Sequence, residues 1–282
     1  MQTSKLNMKN ITIIILHCVF FFLTLTMLNA QDKLIINLPA DSIKKLTGKD
    51  TAEILAIIQN DSIVKIIVTI DERPKAIDAD GNSYSVVKIG EQWWMAENLS
   101  TKKFNDGTSI PLIENYYQWS SIRTPAFCRL NNNEGYGQRY DVLYNWYAVE
   151  TGKLCPAGWH VPSDEEWKQL EFSIGMNDSL VDSAGYRGNN EALKLKKDPY
   201  AWLDTKLEDI TNEYGFSALP IGVRSGDNGR FYGFYSILGT EWWTSTEWKN
   251  RAWMRGFVSP GNNIRRYPEN KKDGRSVRCV KD

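Results

Sequence analysis

Three sets of residues in this 282-residue chain could do chemistry. The first is cysteine, at positions 18, 128, 155 and 279. No two stand at a Cys-x-x-Cys spacing, so the sequence encodes neither a thiolate zinc site nor a vicinal redox pair. In an oxidising compartment the thiols would pair instead, and we expect a Cys155–Cys279 disulfide with Cys128 left over. Such a bond closes a loop of about 120 residues, which chain-entropy models value at roughly 4 to 5 kcal/mol. The competing reading is three reduced cysteines buried as small apolar side chains. The second set is His160, in the run CPAGWHVPSDEEW at 155–167, the one of the chain's two histidines that lies beyond the apolar N-terminal stretch holding His17. A serine hydrolase needs an oriented imidazole base, but a His between Trp159 and Val161, just ahead of a helix, reads as structural. The third set lies in polar, turn-rich stretches at 225–231 and 259–270 and beside them. Tyr232, Tyr235, Trp248 and Tyr267 could stack on the apolar faces of sugar rings, and Asp227, Asn228, Asn262 and Asn263 could read hydroxyls or offer oxygens to calcium. Asp and Asn are equally ordinary turn formers, and no ligand run of the EF-hand kind is present. We therefore expect no cofactor, calcium being the one weak candidate. A glycosidase needs two carboxylates; among 34 acidic residues no pair stands out.

The elements that must hold these residues are legible in places. Ser163 stands three residues before Glu166, a capping box behind Pro162, and predicts a helix with Trp167, Leu170 and Ile174 turned inward. Asp164 and Glu165 then sit at its positive end as structural charges. Residues 189–197 predict a second short helix. The segment GNSYSVVKIGEQWWM predicts a hairpin, and SALPIGVR, GRFYGFY, TEWWTST, RAWMRGF and RSVRCV predict strands divided by turns. Trp93, Trp159, Trp167 and Trp243 read as core. Arg265, Arg266, Lys271 and Lys272, interleaved with Glu269 and Asp273, read as a solvated rim.

Upstream, Lys5 and Lys9 precede an apolar stretch from Ile11 to Leu28, which predicts a signal peptide over 1–30. An uncleaved membrane anchor is the competing reading. Residues 31–76 predict a small strand-helix-strand module, with a helix from about Ser42 to Gln59 carrying Leu46, Ile54, Leu55 and Ile58 as its stripe. Ile35, Ile67 and Val68 could supply an edge strand for pairing. Arg73-Pro74 marks a break, and a larger domain follows over 77–282. Charge is balanced, 34 basic against 34 acidic residues, so no field exists to attract nucleic acid. Eleven Trp, thirteen Tyr and ten Phe predict a core built with rings.

The segments GNSYSVVKIGEQWWMAENL, YDVLYNWYAV, LCPAGWHVPSDEEW, GFSALPIGVR, EWWTSTEW and GRSVRCVKD, in that order from about Asp78 to the end, resemble the Fibrobacter succinogenes major paralogous domain family. That family is similar to the formylglycine-generating sulfatase-modifying fold, a variant of the C-type lectin-like fold. The resemblance implies an exported bacterial α+β domain of irregular antiparallel strands and two or so helices, placed in the cell envelope or secreted. Formylglycine-type chemistry would require a reactive cysteine pair, which a Cys155–Cys279 bridge consumes. The expected function is thus a non-catalytic binding domain, possible partners being a polysaccharide or a cell-surface protein; an adhesive surface role comes second and an enzyme last.

Overall fold

The computed structural model describes residues 73–132, 142–202, 209–233, 239–259 and 261–282, together with the backbone of four strands before them. The chain divides into two units, Met1–Arg73 and Pro74–Asp282. In the first, β1 (Leu25–Met27), β2 (Lys33–Asn37), β3 (Glu53–Gln59) and β4 (Ser62–Thr69) form one antiparallel sheet in chain order. The expected helix is corrected here: Glu53–Gln59 is a strand paired on both sides, Leu55 lying opposite Ile35 and Ile67. The run EILAIIQ explains the error, because a short apolar run reads equally as helix or strand, and its three β-branched Ile favour the strand. The rest of that expected helix, residues 42–52, lies outside the described residues, as does the expected signal peptide apart from β1.

The second unit begins with two hairpins, β5 (Ala76–Ile77) with β6 (Ser83–Tyr84) and β7 (Val86–Ile89) with β8 (Gln92–Met95). There follow α1 (Tyr116–Ser121), β9 (Phe127–Arg129), β10 (Val142–Tyr144), α2 (Trp146–Glu150), β11 (Trp159–His160), α3 (Asp164–Ser173) and α4 (Asp178–Val181). Then come β12 (Gly185–Arg187), β13 (Val223–Arg224), β14 (Phe231–Tyr232), β15 (Gly239–Trp248), β16 (Arg251–Val258), β17 (Ile264–Asn270) and β18 (Val280–Lys281). Few helices and several small antiparallel sheets make this an α+β unit.

Two four-stranded sheets organise it, β11-β18-β8-β7 and β12-β17-β16-β15. Strand β18 enters between β8 and β11, so it completes a sheet that the β7–β8 hairpin began. A Cys155–Cys279 disulfide fixes that closure, one cysteine just ahead of β11 and the other just ahead of β18. Cys128 is buried on β9 opposite Leu143 and takes no part in it. No helix among the described residues is long and apolar enough to cross a membrane. Both facts are compatible with a secreted or envelope protein.

Period-two alternation splits the core across the second sheet. Trp242 faces Trp94, Trp167, Phe216 and Phe257, with ring centroids 4.9 Å apart for Trp94–Trp167 and for Trp242–Phe257, both edge-on. Trp243 faces the opposite way, toward Tyr144, Met254 and the disulfide. Helix α3 carries the expected capping box and buries Trp167, Leu170 and Ile174 against the first of these clusters. Two expectations fail. The short second helix is only a 3-10 turn, Glu191–Lys194. Most of the stretch read as a polar loop at 259–270 is strand β17, at the centre of its sheet. Its charges misled because they are paired inside the protein: Arg266 is buried against Asp164, so the solvated-rim reading fails there too.

Candidate functional site

The register of the second sheet places Glu241 of β15, Gly256 of β16, Arg265 of β17 and Tyr186 of β12 in one row. Gly256 leaves the middle of that row empty. A Cβ there would lie 3.0 Å from Glu241 Cγ and 3.5 Å from Arg265 Cβ. Across this gap Arg265 Nη1 donates to Glu241 Oε1, while Glu241 Oε2 accepts from Arg275 Nε at 2.8 Å. The next residue on the same face of β17 is Tyr267. The Arg265 guanidinium lies 5.3 Å from the Tyr267 ring and 5.5 Å from that of Tyr186, within cation–π range of both. The two rings are nearly perpendicular, and Tyr186 is 58% exposed. Glu269, one further step along this face, has its carboxyl pushed up by burial and by Glu241 and Asp273.

Beside this face, where β15 begins and β16 ends, a cleft of about 210 Å³ is lined by Val223, Tyr232, Thr240, Phe257, Val258 and Arg265 among others. The Thr240 hydroxyl and Arg265 Nε are both buried with no hydrogen-bond partner, but they belong to adjacent rows and so project from opposite faces of the sheet. A larger groove of about 480 Å³ runs along α3, lined by Gln92, Lys168, Gln169, Phe172 and Asp182 among others. Its polar groups are already engaged with one another: Gln92 donates to Gln169 at 3.1 Å, and Lys168 pairs with Glu165 and Asp182. We therefore favour the smaller cleft.

The loop between β13 and β14 is docked, not loose. Fully buried Arg224 donates to the carbonyls of Gly229, Ile113 and Glu114 at 2.8, 2.5 and 2.7 Å. Its guanidinium stacks on Trp119 at 4.5 Å and on Phe231 at 4.9 Å. Gly229, at φ +71°, passes so close to α1 that a Cβ would fall 2.2 Å from the Tyr116 carbonyl oxygen. Asp227 accepts from Asn270 Nδ2 at 2.9 Å, and Gly226 N donates to Asp273 Oδ1 at 2.6 Å.

Of the residues singled out in sequence, the structure joins some and separates others. Asn228 Nδ2 donates to the Tyr232 hydroxyl at 2.9 Å, and Tyr232 shares the cleft with Arg265, which contacts Tyr267. Asn262 and Asn263 stand at the far end of β17, where the Asn262 carbonyl accepts from Ala192 N and Asn263 Nδ2 donates to the Gly188 carbonyl. A seven-residue strand separates them from Asn270 and Asp227, roughly 20 Å at a strand's rise, so the four Asx side chains cannot share one calcium ion. No group of three or more His, Cys, Asp or Glu among the described residues could hold a metal. Trp248 lies on the opposite sheet face, packed against Trp253 at 5.9 Å with Lys249 over its ring. Tyr235 lies outside the described residues. Tyr186, Arg265 and Glu241 were missed. The i, i+2 spacing of Arg265 and Tyr267 could have flagged them, had 264–270 been read as a strand.

Two further polar clusters serve the scaffold. His160 is held between Glu166 and Asp282, which with Glu166 foremost push its imidazolium up to about 9. Behind it, Asp164 and Glu171 of α3 take Arg187, Arg255 and Arg266 in a buried network. Neither cluster borders the cleft.

No curated protein and no solved structure matches the chain. The family model described as the Fibrobacter succinogenes major domain matches residues 87–281, from β7 through β18, and so takes in the sheet row, the cleft and the disulfide together. The chain belongs to the Fibrobacter succinogenes major domain family.

Proposed function

We propose that the second unit is a non-catalytic carbohydrate-binding domain of an exported cell-envelope protein, built on a C-type lectin-like plan. The observation that carries this reading is the Arg265 guanidinium seated against Tyr186 and Tyr267 beside a cleft that Arg265 and the half-exposed Tyr232 both line. Aromatic rings offer flat apolar surface for the C–H faces of a pyranose, and the paired Asn228 amide and Tyr232 hydroxyl at the cleft offer polar partners for sugar hydroxyls. Rigid support from buried Arg224 and from the disulfide lowers the ordering cost of binding. The lectin-like plan is supported by the pairing of β8, from the β7–β8 hairpin, with the closing strand β18. A catalyst is disfavoured because Glu241, the carboxylate nearest the cleft, is bound at both oxygens by arginines. The test is a calorimetric screen of the purified protein against soluble bacterial and plant polysaccharides, with calcium present or chelated. Saturable binding abolished by Tyr267→Ala and indifferent to chelation is the expected result. Binding unaffected by Tyr186→Ala and Tyr267→Ala would remove this site.

A further inference from the structure

The tyrosine face does not stop at the cleft, and its extent has a bearing on ligand size. Tyr186 and Tyr267 contact Arg265, and Arg265 lines the cleft with Tyr232. Tyr232 accepts from Asn228, and the next residue, Gly229, lies against the backbone of Tyr116. Tyr117 follows on the exposed side of α1 at 85% exposure, with Tyr116 at 49% and Tyr232 at 50%. Contacts, shared cleft lining and chain neighbours thus link five tyrosines across four segments distant in sequence. Monomeric proteins rarely leave so many large rings exposed along one path without a binding use. The loop in the middle is fixed by Arg224, Asn270 and Asp273, so its stretch of the path is formed before any ligand arrives.

Charge narrows the ligand class. At the Tyr186–Tyr267 end of this path Arg265 pairs with Glu241 and Glu269, and Arg275 with Glu241, Glu269 and Asp273. Both guanidiniums are committed to carboxylates, so neither stands free to receive a uronate or sulfate group. A carboxylate-bearing sugar would have to compete with Glu241 for Arg265, at the cost of desolvating another anion beside it.

Resting on the carbohydrate reading above, we infer that the ligand is an internal segment of a neutral polysaccharide, several sugar units long, lying along the path from Tyr186 past the cleft to Tyr117. Each ring serves as a platform for a different unit, and affinity accumulates with chain length.

The test is calorimetry on the full chain with neutral gluco-, xylo- and manno-oligosaccharides from disaccharide to hexasaccharide, and with oligogalacturonates of the same lengths. The expected result is a rise of roughly tenfold or more in affinity from disaccharide to hexasaccharide in at least one neutral series, with the uronates weaker. Tyr117→Ala, at a fully solvated position, is expected to weaken the hexasaccharide several-fold and leave the disaccharide unchanged. Tyr267→Ala weakens both. Equal affinity for short and long chains, an indifferent Tyr117→Ala, or tighter binding of uronates overturns this inference while leaving the carbohydrate site standing. No binding by any saccharide overturns both.

Discussion

The imidazole of His160 and the carboxylate of Asp282 meet at 2.6 Å, joining β11 to the segment that follows β18. On its other side the ring lies 2.8 Å from Glu166, the residue that completes the capping box of α3. One cation therefore ties a helix N-terminus to the closing strand. The arrangement holds His160 protonated to about pH 9, above its ordinary value of 6.5. A folded-state value above the unfolded one stabilises fully below about 6.5, and that contribution is lost as pH rises toward about 9. The stability difference between the wild type and His160→Gln should be largest near neutral pH and below, and should shrink as pH climbs through that window. Urea midpoints measured across it check this; a difference that grows with pH would reverse the assignment.

The disulfide makes a separate claim on stability. Cys155 and Cys279 are separated by 124 residues, and in the chain-entropy account closing so long a loop is worth roughly 4 to 5 kcal/mol. The double variant Cys155→Ser, Cys279→Ser is expected to lose much of that, and the wild type treated with reductant should follow it. Peptide mapping without reductant should recover the two cysteines in one cross-linked fragment. Recovery of either as a free thiol from exported protein would remove the link.

Why were these two features legible in sequence while the tyrosine face was not? The capping box is local: Ser163 and Glu166 are three residues apart, and hydroxyl and carboxylate answer amides that every helix start leaves free. Compartment and count predict a disulfide, but among Cys128, Cys155 and Cys279 they leave three pairings open. Strand β17 was hidden because IRRYPEN has a single aliphatic residue, and its strand character comes from partners elsewhere. Arg266 is satisfied by Asp164, Arg265 by Glu241, and Pro268 lies opposite Trp253. Such non-local satisfaction has no periodic signature. The misread segment in the first unit failed for the opposite reason, since EILAIIQ is so uniformly apolar that its period is ambiguous.

Non-local charge also gives a prediction. Glu171 is fully buried, and its Oε1 accepts from Arg187 Nη2 and Arg255 Nε, each at 2.6 Å. Removing it leaves Arg187 without its carboxylate and Arg255 with Asp164 alone, and breaking a buried pair typically costs about 3 to 5 kcal/mol. Glu171→Ala should therefore sharply lower the urea midpoint. Glu165→Ala, one helical turn and a half away and solvent-exposed, should shift it little. Comparable losses in the two variants would mean that the buried network contributes no more than a surface charge.

The emptiness at Gly256 is what allows Arg265 to reach Glu241, and it can be filled by a single carbon. A methyl there would sit 3.0 Å from Glu241 Cγ, a side chain already held at both oxygens by Arg265 and Arg275 and so unable to swing aside without breaking a pair. Overpacking of this kind costs about 1 to 3 kcal/mol. The functional effect should be larger than that loss implies. Displaced from Glu241, the guanidinium no longer sits against the Tyr186 and Tyr267 rings, and its charge stands uncompensated beside the cleft. Gly256→Ala is thus expected to remain folded by circular dichroism, to bind neutral oligosaccharides weakly, and to gain affinity for oligogalacturonates relative to the wild type. That inversion of preference separates positioning of Arg265 from simple destabilisation, which would lower both affinities together. Unchanged preference in a folded Gly256→Ala protein would show that the sheet row does not govern the site.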